Sequence, residues 1–600
     1  MCGIYMTNIP FSRDEIENKL NHVRYRGPDN LGILKKENIT LGHVRLAIVD
    51  LDERSNQPYS YEHYCITFNG EIYNFLEIKK ELEALGYTFT TTSDTEVLIK
   101  GYAAWGEKVL SRLNGMFAFA ILDSKKNEVF CARDRLGVKP FYYYWKDGNF
   151  EICSQLQPML NDSSELSQEA ISIYLDCGYV PSPFSIIKDI YKLQAGKFLV
   201  VDLESKTKSI KEYWNLQKVE TLDISYEDAK AELHNLLIDA VKIRMLADVP
   251  LGTFLSGGID SALVTAIVAK YSDNKINTFT IGFEDPEYDE SKIAEQFAEI
   301  LGTNHTTTTC APQQILELLP KLFEVYDEPF ADDSALPSLL LNKVTKNYVT
   351  VALSGDGGDE SFLGYNHFDT VLKYKRLERI PYVLRKGLSM MLPKNNKYKS
   401  IFDLKSHYDF IERIFIIDQL LNKNKSKSWI DKYYSDYRSL SNNALQQAAD
   451  LNIKLWLDND SNVKVDRASM AYSMEIRSPF LDYRIVEYAR KLPTEYKLKD
   501  GRRKRITKDI LKEYIDESVF EQPKRGFSIP VGDWLRNELK QEFQEVVNDD
   551  FLRSIDNLDV KACKRIIRQH FNNTADNSAF LWRLFVLGHW KRKFKDRKVF

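Results

Sequence analysis

Residues 254–270, Phe-Leu-Ser-Gly-Gly-Ile-Asp-Ser-Ala-Leu-Val-Thr-Ala-Ile-Val-Ala-Lys, constrain the fold of this chain more than any other stretch. A short apolar run ends at Leu255. The turn Ser256-Gly257-Gly258-Ile259-Asp260-Ser261 follows, and then a run that puts Leu263, Ile267 and Val268 on one helical face. The spacing predicts strand, tight turn and amphipathic helix. Paired glycines let the backbone bend sharply and come close to a ligand. The amides and positive dipole end of the new helix make an anion site. Asp260, inside the turn, can hold a magnesium ion against phosphate oxygens. The spacing is not GxxxxGK[ST], and the turn has no lysine. The plainer alternative is an ordinary glycine turn with Ser261 as helix cap.

The surroundings argue against the plain reading. A helix is expected from about Ser225 to Met245, a second strand at Ile276–Gly282, a helix at Ser291–Gly302 and a third strand at Tyr348–Leu353. The third strand runs into Ser354-Gly355-Asp356-Gly357-Gly358-Asp359-Glu360. Strands alternating with helices imply a parallel sheet, whose ligands gather at the carboxyl ends of the strands. Both glycine turns therefore face one crevice. Three acids in five residues repel unless a cation lies among them, and magnesium pyrophosphate meets that need. A solvated acidic loop or an unrelated calcium loop is the bland alternative for the second turn.

The first 200 residues read differently. The chain opens Met1-Cys2-Gly3-Ile4. Once Met1 is removed, Cys2 carries both a thiol and the terminal amine. That amine titrates near pH 7.7–8.0, roughly where it can act as base toward the thiol. A basic turn at Arg24–Asp29 follows, then an apparent strand Leu41–Asp50 carrying Arg45. Cys65–Phe68 runs into Asn69-Gly70-Glu71-Ile72-Tyr73-Asn74, read as a strand ending in a turn. An amphipathic helix is expected at Phe75–Leu85. Ser93-Asp94-Thr95-Glu96, with Asp94 as N-cap, starts another helix over Val97–Tyr102. Strands are expected at Met116–Asp123 and Glu128–Asp134, and a surface hairpin or loop at Glu204–Lys211.

Six hundred residues bound the chain at about two to four domains. The net charge of -4 advertises neither nucleic acid nor an anionic membrane. The longest apolar runs, such as Met116–Leu122, are too short to span a bilayer, and no charged-then-apolar leader is visible. The seven cysteines include no CxxC pair and fit a reducing cytoplasm. The nine histidines form no HExxH or Cys/His cluster.

Cys2, RGPD, HVRLAIVDL, NQP, FNGEIYN, SDTE, GMFAFAILD and ARDRLGVKPFYY stand in the order found in class II glutamine amidotransferases, which this half resembles over about residues 1–145. The resemblance implies an N-terminal-nucleophile (Ntn) hydrolase with a four-layer α/β/β/α fold. It implies Cys2 as the nucleophile on the glutamine amide, and the Asn69 side chain with the Gly70 amide as oxyanion hole. It implies Arg45 as clamp on the glutamine α-carboxylate, with Glu71 and Asp94 facing its ammonium. One departure appears at the domain junction: the family's Ser-Glu-Leu-Lys reads Ser154-Gln155-Leu156-Gln157 here, so two charges that could form an interdomain ion pair are gone.

The turn at Ser256–Ser261 resembles the SGGxDS loop of ATP pyrophosphatases. Together with YDEPFAD (326–332), VKVDRASM (463–470), IRSPFLDY (476–483) and PKRGFSIP (523–530), it follows the order of glutamine-dependent asparagine synthetases. In that family aspartate is activated as β-aspartyl-AMP and attacked by ammonia from the first domain. The resemblance implies ATP binding by Leu255, Ser256, Gly257, Gly258, Asp260, Ser261, Ile281, Gly282, Ser354 and Gly355. It implies metal contacts from Asp260 and Asp359, and a lysine that neutralises charge as pyrophosphate leaves, mapped to Lys504 with Lys508 second. Asp356 stands where many members have a glutamate that can deprotonate the ammonia. His305-Thr306 replaces a histidine pair. Both departures concern the acceptor and leave room for amidation of a uronic acid carboxylate in surface polysaccharide. A β-lactam-forming relative is disfavoured by the intact Cys2 set, and a PP-loop RNA-modifying enzyme by the lack of a basic face and cysteine pairs.

The expected fold class is thus α/β plus α+β: an Ntn-hydrolase sandwich over 1-210, then a parallel-sheet α/β ATP pyrophosphatase (PP-loop) domain with a helical C-terminal part over 220-600. The expected reaction is ATP-dependent, glutamine-hydrolysing synthesis of asparagine with ATP and Mg2+. Its expected partners are glutamine, ATP and aspartate or another carboxylate. Nucleic acid and membrane are not expected partners, a homodimer stays open, and the expected location is the cytoplasm.

Overall fold

The computed structural model describes residues 2–284, 289–393, 397–416, 429–521 and 529–597. Most of the PKRGFSIP motif and part of the acidic 284–290 stretch lie outside the described residues, as does Met1.

The first half is two six-stranded antiparallel sheets face to face. One runs Ile190–Lys192, Tyr142–Lys146, Asn149–Cys153, Gly3–Thr7, Ile39–Arg45, Asn30–Lys36 in spatial order. The other runs Thr207–Glu212, Lys197–Asp202, Glu128–Arg133, Gly115–Asp123, Tyr64–Ile72, Tyr59–Tyr61. Alternate residues explain the layering. Ile4, Met6, Leu41, Ala118, Ala120 and Cys131 meet between the sheets. Tyr5 and Val44 point outward onto the helix Arg13–Asn21 through Ile16 and Leu20. Phe68, Phe117 and Phe119 point the other way onto Phe75–Ala84 and Asp94–Trp105. The result is the four-layer α/β/β/α sandwich.

Several local expectations are corrected. The Asn-Gly pair is no turn: the strand Tyr64–Ile72 passes straight through it, with Asn69 opposite Ala118 and Gly70 opposite Phe117. Sheet pairing on both flanks overrides the turn preference of the dipeptide. The strand carrying Arg45 stops at that residue rather than reaching Asp50. The cap of the next helix is Ser93, whose hydroxyl accepts from the Thr95 amide. Asp94 is freed for another role.

The second half holds a five-stranded parallel sheet in the order Asn304–Cys310, Asn277–Phe283, Leu251–Phe254, Val351–Leu353, Glu475–Arg477. The chain builds outward in one direction from Leu251–Phe254 and then returns to its other side at Val351–Leu353. The strand order therefore reverses between these two, the place where parallel sheets open a ligand crevice. The two glycine turns leave from these two strands. The helix Ile259–Tyr271 is buried nearly all round rather than amphipathic, because it is packed between Tyr226–Arg244, Ser291–Leu301 and Arg505–Leu511 through one shared core. From Gly358 onward the chain is mostly helical.

The halves meet through paired charges. Arg26, fully buried, forks onto Asp466 with Nη1–Oδ2 and Nη2–Oδ1 at 2.8 and 2.9 Å. Arg133 pairs with Asp458 at 2.9 Å, and Asn114 donates to Asp482 at 2.9 Å. Asp458 sits on a π-helical segment, Asn452–Ser461, in the middle of a helix running from Ala444 to Met470. Asn459 Oδ1 of the same segment accepts from the Ser182 amide at 2.7 Å. At the junction where two family charges are missing, the neutral Gln155 amide bridges groups of the two halves. Its Oε1 accepts from Tyr25 and Arg26, each at 3.0 Å, and its Nε2 donates to Asp327 at 2.9 Å.

Candidate active sites

The first candidate centre is Cys2, 7% exposed, at the head of the central strand Gly3–Thr7. Its amide donates to Asn69 Oδ1 at 2.9 Å. The two arrive together because Asn69 lies on the facing sheet, inside the strand that the Asn-Gly pair does not break. Asn69 is fully buried, and its Nδ2 has no hydrogen-bond partner among the described residues. An unsatisfied donor in such a place is costly unless a ligand oxygen completes it. Gly70 has φ +155°, and a side chain there would overlap the Met116 carbonyl oxygen, so only glycine carries the amide into this position.

Burial pushes the Cys2 thiol up from its ordinary range, opposed in part by the Leu46 backbone and the Arg45 charge. A thiol so placed needs a base, because the thiolate is the nucleophile. The Arg45 guanidinium is nine-tenths buried; Nη1 donates to the Asp52 carbonyl at 3.0 Å and to Asn56 Oδ1 at 2.8 Å, and Nη2 donates to the Asp50 carbonyl. It thereby ties down the segment Asp50–Asn56 with the same nitrogens expected to meet a carboxylate. Glu71 and Asp94 are both buried and come together. The Ile72 amide donates to Asp94 Oδ2 at 3.0 Å. Burial pushes the Asp94 carboxyl up to about 6, and burial together with Asp94 holds Glu71 well above the usual carboxylate range.

Two residues without a sequence assignment complete this centre from the other half. Arg477 Nη2 reaches Glu71 Oε2 at 3.2 Å, and its Nε donates to Glu475 Oε1 at 2.6 Å. Both lie on the last strand of the parallel sheet. Glu475 is fully buried, and its carboxyl is held down to about 2 against the cost of burial, chiefly by Arg477.

The second candidate centre is the strand-order reversal. The two glycine turns touch: a Cβ on Gly355 would lie 2.6 Å from the Ser261 amide nitrogen. Ser261 does not cap the helix by side chain; the N-cap is Gly258, and the Ser261 hydroxyl is shared with Ser256 at 2.9 Å. The Ser256 amide donates to Ser261 Oγ and the Gly258 amide to Ser256 Oγ, each at 3.1 Å, so the two hydroxyls brace the turn that leads into the helix start. Leu255 is buried, its amide donating to the Phe279 carbonyl at 3.0 Å. Ile281 and Gly282 end the neighbouring strand, and Ser354 closes the other, donating to Asp356 Oδ2 at 2.6 Å.

Lys504 enters this crevice from a left-handed turn, φ +54°. Its ammonium contacts Asp260 and lies 2.6 Å from Asp359 Oδ1. The two carboxylates, one from each turn, hold its pKa above the lysine range despite burial. Lys508 instead pairs with Glu521 at 3.0 Å, away from both turns. Glu360 is buried behind the second turn, accepts from the Tyr365 hydroxyl at 2.7 Å and is pushed up to about 7 by burial. Two facing carboxylates give magnesium the hard oxygen donors it prefers. Among the described residues no three His, Cys, Asp or Glu side chains form a cage of their own.

Comparison with known proteins covers nearly the whole chain. A family model described as asparagine synthase matches residues 232–592, and one described as a glutamine amidotransferase domain matches residues 1–214. Asparagine synthetase (glutamine-hydrolyzing) 1 of Bacillus subtilis is 33% identical, over 96% of this chain and 93% of its own. Asparagine synthetase (glutamine-hydrolyzing) 3 of the same organism is 30% identical, over 88% of this chain and 87% of its own. The amidase chyE of Penicillium rubens is 27% identical, over 93% of this chain and 91% of its own.

Proposed function

Since the chain belongs to the asparagine synthase family and carries a glutamine amidotransferase domain, we infer that its two centres work in series as a glutamine-hydrolysing asparagine synthetase. The observation that carries this reading is their shared interface. Arg26, which holds the Cys2 carbonyl at 3.0 Å, is paired with Asp466 from the half bearing both glycine turns. We divide the chain into a glutaminase domain over 1-210 and a synthetase domain over 220-600. The last strand of the antiparallel pair ends at Glu212 and the helix Tyr226–Arg244 begins the second packing unit.

In the first centre, removal of Met1 frees the Cys2 amine to take the thiol proton. The sulfur attacks the glutamine side-chain amide carbon, and the developing oxyanion is met by Asn69 Nδ2 and the Gly70 amide. The Cys2 ammonium returns its proton to the substrate nitrogen as the C–N bond breaks, ammonia leaves, and water hydrolyses the thioester to glutamate. Arg45 receives the substrate carboxylate, Glu71 and Asp94 its ammonium.

In the second centre, the amides of Ser256–Ser261 hold the ATP phosphates, with Leu255, Ile281, Gly282, Ser354 and Gly355 around the nucleotide. The aspartate side-chain carboxylate attacks the α-phosphorus and pyrophosphate departs, its charge met by Lys504. Ammonia attacks the acyl-adenylate, Asp356 accepts its surplus proton, and AMP leaves as asparagine forms. Mg2+, held by Asp260 and Asp359, would neutralise phosphate charge. No described helix is long and apolar enough to cross a membrane. We place the protein in the cytoplasm and allow for a homodimer.

The deciding experiment is a panel of carboxylates, aspartate and uronic acids included, with pyrophosphate release in the presence of glutamine as readout. Aspartate is expected to give the fastest release. A uronic acid outpacing it would overturn asparagine as the product while leaving the two-centre chemistry intact.

The Asp94 carboxyl gives a second test. With its pKa near 6, it loses the charge that pairs with the substrate ammonium as pH falls. The kcat/KM for glutamine is therefore expected to drop about tenfold per pH unit below that point. Asp94→Asn should lower kcat/KM throughout and flatten this slope; an unchanged slope in the variant would remove Asp94 from glutamine binding.

A further inference from the structure

The helix Tyr382–Met391 is built inside out. Its inward positions are polar: Arg385 and Ser389, one turn apart, are each 1% exposed. Its outward positions are apolar: Val383, Leu384, Leu388, Met390 and Met391 are 46–83% exposed. At about 3.6 residues per turn, Gly387 falls in the middle of that outward crest. A Cβ added there would meet nothing within 4 Å. A surface helix normally turns its apolar stripe to the core. Elsewhere among the described residues, exposed large apolar side chains stand no more than one to an element, which is ordinary. Five on one helix are not.

Polar bonds fix this orientation. Arg385 uses all its guanidinium nitrogens: Nε donates to the Ile380 carbonyl at 3.0 Å, Nη1 to the Tyr374 hydroxyl and the Leu404 carbonyl at 2.8 Å each, and Nη2 to the Lys405 carbonyl at 3.2 Å. Ser389 donates to the Lys399 carbonyl at 3.2 Å. Rolling the crest inward would break these bonds together.

Charge says what the crest meets. Residues 373–405 hold ten Lys and Arg against Glu378 and Asp403, in a chain whose net charge is -4. The whole-chain charge is an average that hides this basic face. Glu378 is taken by Lys375 at 2.7 Å and His407 at 3.2 Å. Lys373, Arg376, Arg379 and Lys386 are exposed, and among the described residues none of them has a carboxylate partner. Tyr374 and Arg385 meet on the inner sides of their helices, Asn366–Leu377 and Tyr382–Met391. Arg376 lies about half a turn round from Tyr374, and Lys386 lies beside the crest, so cations and crest face out together. A second copy of this chain would press those cations against their own kind, since a two-fold contact pairs a patch with itself. An anionic bilayer surface suits both parts. Aliphatic side chains sink below the headgroups while lysine and arginine stay level with the phosphates. The ten-residue helix is about 15 Å long, too short to span a bilayer and long enough to lie along its surface.

We propose that the helix Tyr382–Met391 is a membrane-surface anchor: its apolar crest and basic rim dock the protein on an anionic phospholipid bilayer. The docking is independent of how the two centres are read, since none of their residues lies on this helix.

Sedimentation of the full-length protein with vesicles, of phosphatidylcholine alone or with about 30% phosphatidylglycerol, tests the anchor. Binding to the anionic vesicles is expected to be about tenfold tighter than to the neutral ones, and to weaken about tenfold between about 50 and 500 mM salt. Gly387→Glu puts a negative charge in the crest where a Cβ has room, and should weaken binding to anionic vesicles about tenfold. Gly387→Leu enlarges the crest and should strengthen that binding about threefold. In both variants glutamate formation and pyrophosphate release in solution are expected to stay within about twofold of the parent, the sign of an intact fold. A parent that does not sediment with anionic vesicles, or that binds both kinds equally, overturns the anchor. So do Gly387 variants that bind as the parent does. A parent that ignores vesicles and forms dimers dissolved by Gly387→Glu overturns it in favour of a contact between copies.

Discussion

Cys2→Ala is expected to lower glutamate release from glutamine by about four orders of magnitude or more, while asparagine synthesis from added ammonium salts continues near the parent rate. The loss is large because the thiolate is the bond-forming atom and nothing beside it can stand in. The neighbouring cysteine on the same sheet, Cys153, is buried with its thiol pushed up to about 12. The Asn69 donor and the Gly70 amide would remain, but an oxyanion hole without a nucleophile stabilises nothing. Sparing of the ammonia reaction follows from where the variant acts: the Asp260, Asp359 and Lys504 contacts do not involve Cys2. The measurement is paired assay of glutamate and asparagine with glutamine or ammonium as nitrogen source. Glutamate production by the variant at the parent rate would remove Cys2 from the chemistry.

Lys504→Met is expected to slow pyrophosphate release by about two to three orders of magnitude, with glutaminase turnover changed less than about twofold. The side chain is held by two carboxylates before any nucleotide arrives. No rotamer search or desolvation then remains when charge develops on the leaving group. Methionine keeps the length and burial of the stem, so the left-handed turn at residue 504 keeps its packing while the charge goes. The variant removes the cation between Asp260 and Asp359, which weakens ATP binding at low metal, a defect that lessens as metal is raised. Pyrophosphate release at saturating ATP and magnesium separates the two effects. A rate within about tenfold of the parent there would show that Lys504 serves the structure of the crevice and not the departure of pyrophosphate.

The sequence carried the architecture where patterning is strong. The strand, glycine turn and helix at 251–271 and the strand–turn at 351–360 needed only the apolar runs and glycines to be placed on adjacent parallel strands. It was less legible where tertiary pairing overrides local preference. Asn69-Gly70 has the dipeptide of a hairpin, yet both flanks are claimed by sheet partners. The helix after Ser261 is apolar on one face by spacing, yet three helices and a core surround it. Asp94 beside Ser93 is the stronger-looking cap, but only the serine hydroxyl is free to take it, because the aspartate is drawn to the Ile72 amide. The residues that join the centres were present in quoted motifs without assignments. Asp466 lies in VKVDRASM, Arg477 in IRSPFLDY and Arg26 in RGPD. Each is a single charge in a linear string, and what makes it informative is a partner 400 or so residues away.

The forked pair between Arg26 and Asp466 has a consequence for how such a protein can be made. Asp466 has Arg467 beside it in its own half, but Arg26 has no carboxylate other than Asp466 among its ion-pair partners, and separating the halves would leave Arg26 uncompensated, a defect of about 3–5 kcal/mol for a single broken pair. Glu71 with Arg477 and Arg133 with Asp458 repeat the arrangement. Splitting the gene near codon 215 into two independently translated products would thus yield fragments whose mating faces are studded with stranded ions. Those fragments would have to find each other during synthesis or be lost to precipitation and proteolysis, so continuous translation is itself a means of keeping the charges in step.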